Sequence, residues 1–305
     1  MKRGMNLACI TMALSLLFVM ATSSTVLAAD GKLFMVNGDT NQIVELNPDT
    51  GAELNKFSTP EASSKGPDGL AYGSGRMFFT AGHEENNGAQ LIYELNPENG
   101  GVINSFPAPG DEVDALGFSC DKLFALDYDG PETIYVLDPD TGQTVATFDH
   151  DPFLVGGGTF AGTRNSVFFT GDLSGTDPSP DSMVIYELDP EDGTVLNDFE
   201  IPFEAYGLGF SSSRNTLFIG ESGFTSIYEV DPDDGNVIHS FTVEAMITAL
   251  AADECGDELE WEPHQIAVGG DVFPVDKSIV VAPWIALGAT IIAGGVFLIR
   301  RRAHR

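Results

Sequence analysis

Five side chains carry most of the acid–base and cation-binding chemistry that this 305-residue chain can focus in one place: Asp68, Glu112, Asp114, Glu204 and Tyr206. Asp68, Asp114 and Tyr206 each stand immediately before a short apolar run, namely GLAYG from Gly69, ALGF from Ala115 and GLGF from Gly207. Glu112 and Glu204 lie two residues further upstream. Aligning the innermost strands of the chain's five repeats puts Asp68, Asp114, Gly156, Tyr206 and Thr248 in one ring, and if that ring lines one opening, four carboxylates crowd it. Crowded like charges raise one another's pKa or recruit a cation. Oxygen-only ligands suit a hard ion, so Ca²⁺ is the cofactor that Asp68, Glu112, Asp114 and Glu204 imply. The alternative is a hydrated polar lip with no resident ion. Soft-metal chemistry has weaker support, because His83 and His150 fall in different units with no third soft ligand nearby. The chain has no G-x-S-x-G, H-E-x-x-H or phosphate-loop pattern, and no nucleophile constellation is visible.

The elements that must position these groups are repeats. Pro48, Pro97, Pro139, Pro190 and Pro232 are spaced by 49, 42, 51 and 42 residues. Three residues after each stands a glycine (Gly51, Gly100, Gly142, Gly193, Gly235), and nine after each a phenylalanine (Phe57, Phe106, Phe148, Phe199, Phe241). Five residues before each stands an isoleucine (Ile43, Ile92, Ile134, Ile185, Ile227). A block such as IYELNPENGGVINSF, Ile92 to Phe106, reads as strand, turn, strand: proline pre-sets its φ, and the glycine takes a left-handed position. A second hairpin, such as GLAYGSGRMFFT, precedes it. Four short strands per unit, apolar on both faces, are the pattern of a propeller blade.

The first unit lacks an innermost strand, beginning directly at Lys32-Leu33-Phe34. The last leaves one over, Ile247 to Ala252. The spare strand fits the vacancy and removes the open sheet edges. The fold class expected is therefore all-β: a five-bladed β-propeller over residues 30–252, closed by its C-terminal strand. An open arc completed by a partner chain is the alternative.

Both ends of the chain read as membrane-trafficking signals. Residues 1–29 have a basic start, an apolar run and a small-residue finish at Ala28-Ala29, as a cleaved signal peptide does. Ile279 to Ile299 is 21 residues without a charge, about the thickness of a bilayer when helical. Arg300, Arg301, Arg302 and Arg305 follow it, a cluster that stays cytoplasmic and leaves the bulk of the chain outside. Residues 253–278 form a stem, 279–299 a transmembrane helix and 300–305 a cytoplasmic tail. Between Asp30 and Lys277 only eight Lys and Arg oppose all 46 acids, so nucleic acid is excluded as a partner. Such a surface attracts cations or is a solvated, salt-adapted skin. Cys120 and Cys255 remain after the signal, a candidate disulfide in an oxidising compartment. Their blades are not neighbours, and a bond needs Cα atoms within about 7 Å.

The units IYVLDPDTGQTVATF (Ile134 to Phe148) and IYELDPEDGTVLNDF (Ile185 to Phe199) resemble the repeats of PQQ-like and YVTN-type β-propellers. The quinone-enzyme repeat ends in Trp where this chain has Phe, and its only tryptophans are Trp261 and Trp284, outside the repeats. That departure argues against PQQ as a cofactor. GPDGLAYGSGRMFFTAG (Gly66 to Gly82) and EAYGLGFSSSRNTLFIGESG (Glu204 to Gly223) are similar in outline to plant- and bacterial-type glutaminyl cyclases, five-bladed propellers with an acid and tryptophans at a central pocket. The resemblance puts Glu204 in the acid's place and Tyr206 where that family has Trp. The tail from Val268 to Gly295, with its arginines, resembles the anchors of archaeal cell-surface proteins.

The functional expectation is a membrane-anchored extracellular propeller that recognises or scaffolds an extracellular protein or small molecule, touching the membrane through Ile279–Ile299. The competing expectation is an enzyme at the channel mouth, cyclase-like or quinone-dependent.

Overall fold

The structure is a computed structural model that describes residues 31–61, 68–81, 90–110, 112–128, 133–149, 154–172, 183–221 and 225–255. The signal peptide expected over 1–29, the transmembrane helix over 279–299 and the tail over 300–305 lie outside the described residues, as does all but the start of the stem. Among the described residues no helix is long and apolar enough to cross a membrane.

Among the described residues, twenty strands form five four-stranded antiparallel sheets. Blade I contains β1 (Leu33–Asn37), β2 (Gln42–Leu46) and β3 (Glu53–Ser58). Blade II runs through β4 (Gly69–Gly73), β5 (Arg76–Thr80), β6 (Leu91–Leu95) and β7 (Val102–Pro107). Blade III is β8 (Val113–Phe118), β9 (Leu123–Asp127), β10 (Thr133–Leu137) and β11 (Thr144–Asp149). Blade IV is β12 (Leu154–Ala161), β13 (Ser166–Asp172), β14 (Met183–Leu188) and β15 (Val195–Ile201). Blade V is β16 (Ala205–Ser211), β17 (Thr216–Glu221), β18 (Ser226–Val230) and β19 (Val237–Thr242). The last strand, β20 (Ile247–Ala252), pairs with β1, Leu33 opposite Ala252 and Met35 opposite Leu250, and completes blade I. The protein is a closed five-bladed β-propeller. Its innermost strands touch in a complete circuit: β4, β8, β12, β16, β20 and back to β4.

The inner strands of each sheet are buried on both faces because the apolar clusters run between blades, while the fourth strands are largely exposed. One joins Phe34, Val36 and Phe57 of blade I to Leu70, Tyr72 and Phe79 of blade II. Burying each phenylalanine contributes about 2–3 kcal/mol. Where the inner strands approach most closely, near the narrow axis, there is no room for a side chain. A Cβ on Gly117 would meet the Thr159 and Phe160 backbone at 2.9 Å, and one on Gly207 the Leu250 backbone at 2.7 Å.

The repeat residues turn out to be devices for joining blades. Each turn glycine, at φ near +70°, lies under the strand-four phenylalanine of the preceding blade: Gly100 under Phe57, Gly193 under Phe148, and, closing the circle, Gly51 under Phe241. Only glycine takes that φ without strain, and only glycine leaves space for the ring. A second device is an arginine clamp. Arg76 pairs with buried Glu94 of its own blade (2.7 Å) and with Asp140 in the next blade's turn (3.0 Å). Arg164 does the same with Glu187 and Asp233, and Arg214 with Glu229 and Asp49. The third device is a side-chain amide or imidazole on strand four bonded to a carbonyl of the next turn: Asn55 to Glu98, Asn104 to Asp140, Asn197 to Asp233 and His239 to Asp49.

Candidate functional site

The mouth of the channel is the end where the inner strands begin, and there the β-ladders are irregular. In blade III, Val113 faces Asp127 and Ala115 faces Leu126, which leaves Asp114 as an extra residue. In blade V the extra residue is Tyr206, between Ala205 and Gly207. In blade I it is Thr248, between Ile247 and Ala249. Blade IV has two, Val155 and Gly157, on either side of Gly156. Such β-bulges take a residue out of the ladder and re-aim its side chain, and they collect at barrel rims and functional sites. Three of the residues that alignment placed in one ring are therefore bulge residues at one rim.

Asp68 precedes β4, almost wholly buried. Its carboxylate accepts the Thr248 hydroxyl (2.6 Å), and its N–H donates to the Thr248 carbonyl (3.0 Å). Those two predicted ring members are thus brought together, and they join the inner strands of blades II and I. Asp114 is buried, while Glu204 and Tyr206 are half-buried. Glu112 is held by its backbone: its N–H donates to Asp127 (3.0 Å) and its carbonyl accepts from Tyr128 (2.8 Å). Gln90 fastens the same corner, donating to the Ala81 and Val113 carbonyls and accepting the Val113 N–H. Among the described residues no three His, Cys, Asp or Glu side chains stand close enough to hold a metal ion. His83, His150, Glu84, Glu85, Asp129, Asp177 and Asp181 lie outside the described residues.

The opposite end of the channel holds a group that the sequence did not point out. Beyond β20 the chain does not leave the ring at once; Asp253 to Cys255 crosses beneath the inner strands. The Glu254 N–H donates to Tyr72 of blade II, and its carbonyl accepts from Gly162 of blade IV and from the Ser212 hydroxyl of blade V. One carboxylate oxygen, Oε2, accepts the Phe118 and Phe160 N–H groups of blades III and IV. Oε1 is buried with no hydrogen-bond partner. Burial pushes this carboxyl well above the usual carboxylate range, against the pull of its backbone donors. Burial also raises Asp253, whose carboxylate accepts the Ser211 hydroxyl (2.8 Å). An acid pair between an apolar strand and a cysteine was the available signal, but it reads equally well as the start of a solvated stem.

This crossing explains how Cys120 and Cys255 meet from blades that do not adjoin. The structure pairs them as a disulfide, with Cα atoms 6.0 Å apart. Beside it a cleft of about 380 Å³ opens between blades III and IV. Blade III contributes Ser119, Asp121, Lys122 and Phe124; blade IV contributes Phe160, Gly162, Asn165 and Pro190.

No family model matches the chain, and no curated protein matches it in sequence. Among solved structures it is similar to the glutaminyl cyclase of Myxococcus xanthus, at 13% identity over 61% of this chain and 74% of that one, with a TM-score of 0.48. It is also similar to a chain of a nidogen/laminin complex, at 12% identity over 74% and 99%, TM-score 0.49. A third is the hydrazine synthase of Kuenenia stuttgartiensis, at 10% identity over 66% and 61%, TM-score 0.38. Likeness at this level concerns blade architecture and carries no activity across.

Proposed function

We propose that this protein is a recognition or scaffolding ring displayed on the outside of a cell, with its signal peptide removed and its C-terminal helix in the membrane, and that ligands meet it at the channel mouth. The observation that carries the reading is the set of bulges at one rim, in blades I, III, IV and V. A propeller's ladders can run regularly to their ends, as β4 with β5 does here. Bulging four of five inner strands at the same level departs from that for a purpose other than pairing. The strand ends at this rim also flank the longer connections of the chain, which carry Glu84, Glu85, Asp177 and Asp181. A rigid ring bearing acidic connections suits a cationic or polar partner.

The test places a photo-crosslinking side chain at Tyr206, and a control at Ile238 on the exposed outer strand, in the full chain on intact cells. Discrete adducts from position 206 and none from 238 are expected. The same purified chain is titrated with PQQ and assayed on a peptide with N-terminal glutamine. Saturable PQQ binding, or turnover lost in Glu204→Gln, would replace recognition by catalysis at the mouth.

A further inference from the structure

Each sulfur of the disulfide at the base of the channel already faces a group suited to its reduced state. The Ser74 hydroxyl of blade II donates to Cys120 Sγ (3.0 Å). A donor at that place favours the charged form, a Cys120 thiolate. Cys255 Sγ lies 3.2 Å from the Phe118 carbonyl oxygen, the acceptor that a Cys255 thiol would use. Both cysteines are half-buried, and both line the cleft between blades III and IV. At about 380 Å³ that cleft is wide enough to admit a small thiol.

The two sulfurs are not equally open. A Cβ on Gly73 would meet Cys255 Sγ at 2.5 Å, so that sulfur is pressed against the backbone of blade II. Cys120 sits instead in the turn between β8 and β9, closed by the Ser119 N–H on the Lys122 carbonyl (2.9 Å). Its φ is +70°, in a turn position that usually falls to glycine. Lys122 belongs to the same turn and is exposed. It stands two residues before Phe124, as Arg76 stands before Phe78, but the residue opposite Phe124 is Val136 where Phe78 has Glu94. The other blades pair their basic residue with that glutamate; among the described residues Lys122 has no ion pair. Asp121, the acid of the turn, accepts the Ser119 hydroxyl (2.8 Å). A cation beside a cysteine attracts thiolates and favours the thiolate of the cysteine itself.

We propose that Cys120–Cys255 is a thiol–disulfide exchange site, reached by a dithiol through the cleft, with Cys120 as the sulfur attacked and Cys255 as the sulfur that leaves. One thiol of the reductant loses its proton, and the thiolate bonds to Cys120 Sγ. The bond to Cys255 breaks, and its electron pair goes to Cys255 Sγ, which takes up a proton and donates it to the Phe118 carbonyl. The reductant's second thiol, deprotonated in turn, attacks its own sulfur in the mixed disulfide. The reductant departs as a cyclic disulfide, oxidised by two electrons, and Cys120 is released as a thiolate facing Ser74 and Lys122. The crossing segment keeps its backbone bonds to Tyr72 and Gly162, which do not involve sulfur, so the two thiols stay within reach of each other and the bond can re-form. The site lies at the opposite end from the channel mouth and does not depend on what binds there.

Reduction of the full chain in detergent by dithiothreitol tests this. The rate is expected to rise in proportion to thiol concentration, the reduced ring to melt cooperatively, and the bond to re-form with oxidised dithiothreitol. The monothiol 2-mercaptoethanesulfonate should leave its adduct on Cys120 in peptide mass spectra taken after an acid quench. Lys122→Gln should slow this anionic thiol about threefold, but not the cationic thiol cysteamine. Ser74→Ala should move the equilibrium with dithiothreitol about fivefold toward the disulfide. Reduction only at the rate of global unfolding, whatever the thiol concentration, would overturn the proposal. So would an adduct on Cys255, equal slowing of both thiols by Lys122→Gln, or an equilibrium that Ser74→Ala leaves unmoved.

Discussion

The junction between blades III and IV differs from the one that follows it, between IV and V, in nearly every joining device. At IV–V, Arg164 spans buried Glu187 and Asp233, Asn197 bonds the Asp233 carbonyl, and Phe199 covers Gly235. At III–IV the lysine has no glutamate, Ala146 stands where the other blades have Asn or His, and only Phe148 over Gly193 remains. A repeat that abandons two of its three fasteners at one junction, and carries the Cys120–Cys255 disulfide there, has changed how that junction is held.

The comparison is broken most severely by removing a clamp. Arg164→Ala leaves Glu187 buried without its cation, and should cost about 3 kcal/mol, roughly 6–12 °C in melting temperature for a ring of this size. Lys122→Ala, at the equivalent place in the unclamped junction, should stay within about 0.5 kcal/mol. Equal losses in thermal melts would mean that the clamps do not distinguish the junctions. Next in size is the disulfide: replacing Cys120 and Cys255 by Ser should cost about 2–4 kcal/mol. Amide exchange should quicken first along β11 and β12, the strands of the unclamped junction.

Glu254 sharpens the comparison through pH. Its folded-state pKa is raised, so the folded ring binds more protons than the unfolded chain between the two pKa values. The Glu254 contribution to stability should be fullest at acid pH, fall as pH rises through that window, and level off above the folded pKa. Glu254→Gln keeps the shape without the charge and should flatten that fall in denaturant midpoints taken across pH. An unchanged slope would place the titration elsewhere. The smallest effect belongs to the amide bonds: Asn104→Ala should lose about 1 kcal/mol, and Ala146→Asn should recover part of that at III–IV.

Much of the ring was legible in the sequence because its fasteners recur at fixed offsets. The proline, glycine and phenylalanine were readable as a turn and a strand. Their joint meaning, a ring lying on the next blade's bare backbone, is a contact between units that periodicity does not state. The pairing of Leu33 with Ala252 was readable by counting strands, since a missing inner strand and a spare one balance. The clamps were harder to see. Arg76 opens its strand, whereas Arg164 and Arg214 sit two residues earlier in longer hairpin turns, with Ser166 and Thr216 in the strand position. Alignment by offset therefore misses that they serve one purpose. At the mouth, the alignment picked out Asp114, Tyr206 and Thr248 without revealing that bulging is what they share. Glu254 was missed because polar residues after a last strand look solvated, and only the crossing beneath the channel buries them.

The pairing of β1 with β20 sets an order on manufacture. The first strand made must wait beside blade II until nearly all the rest of the ring has been synthesised, because its inner neighbour is the last strand of the ring. Long-range pairing of this kind slows folding. Through that interval β1 is a bare template, and any ribosome stall or proteolytic cut before Ala252 leaves it open to whichever strand arrives first. Protection of the nascent chain until β20 is made is thus part of what this architecture demands of its cell.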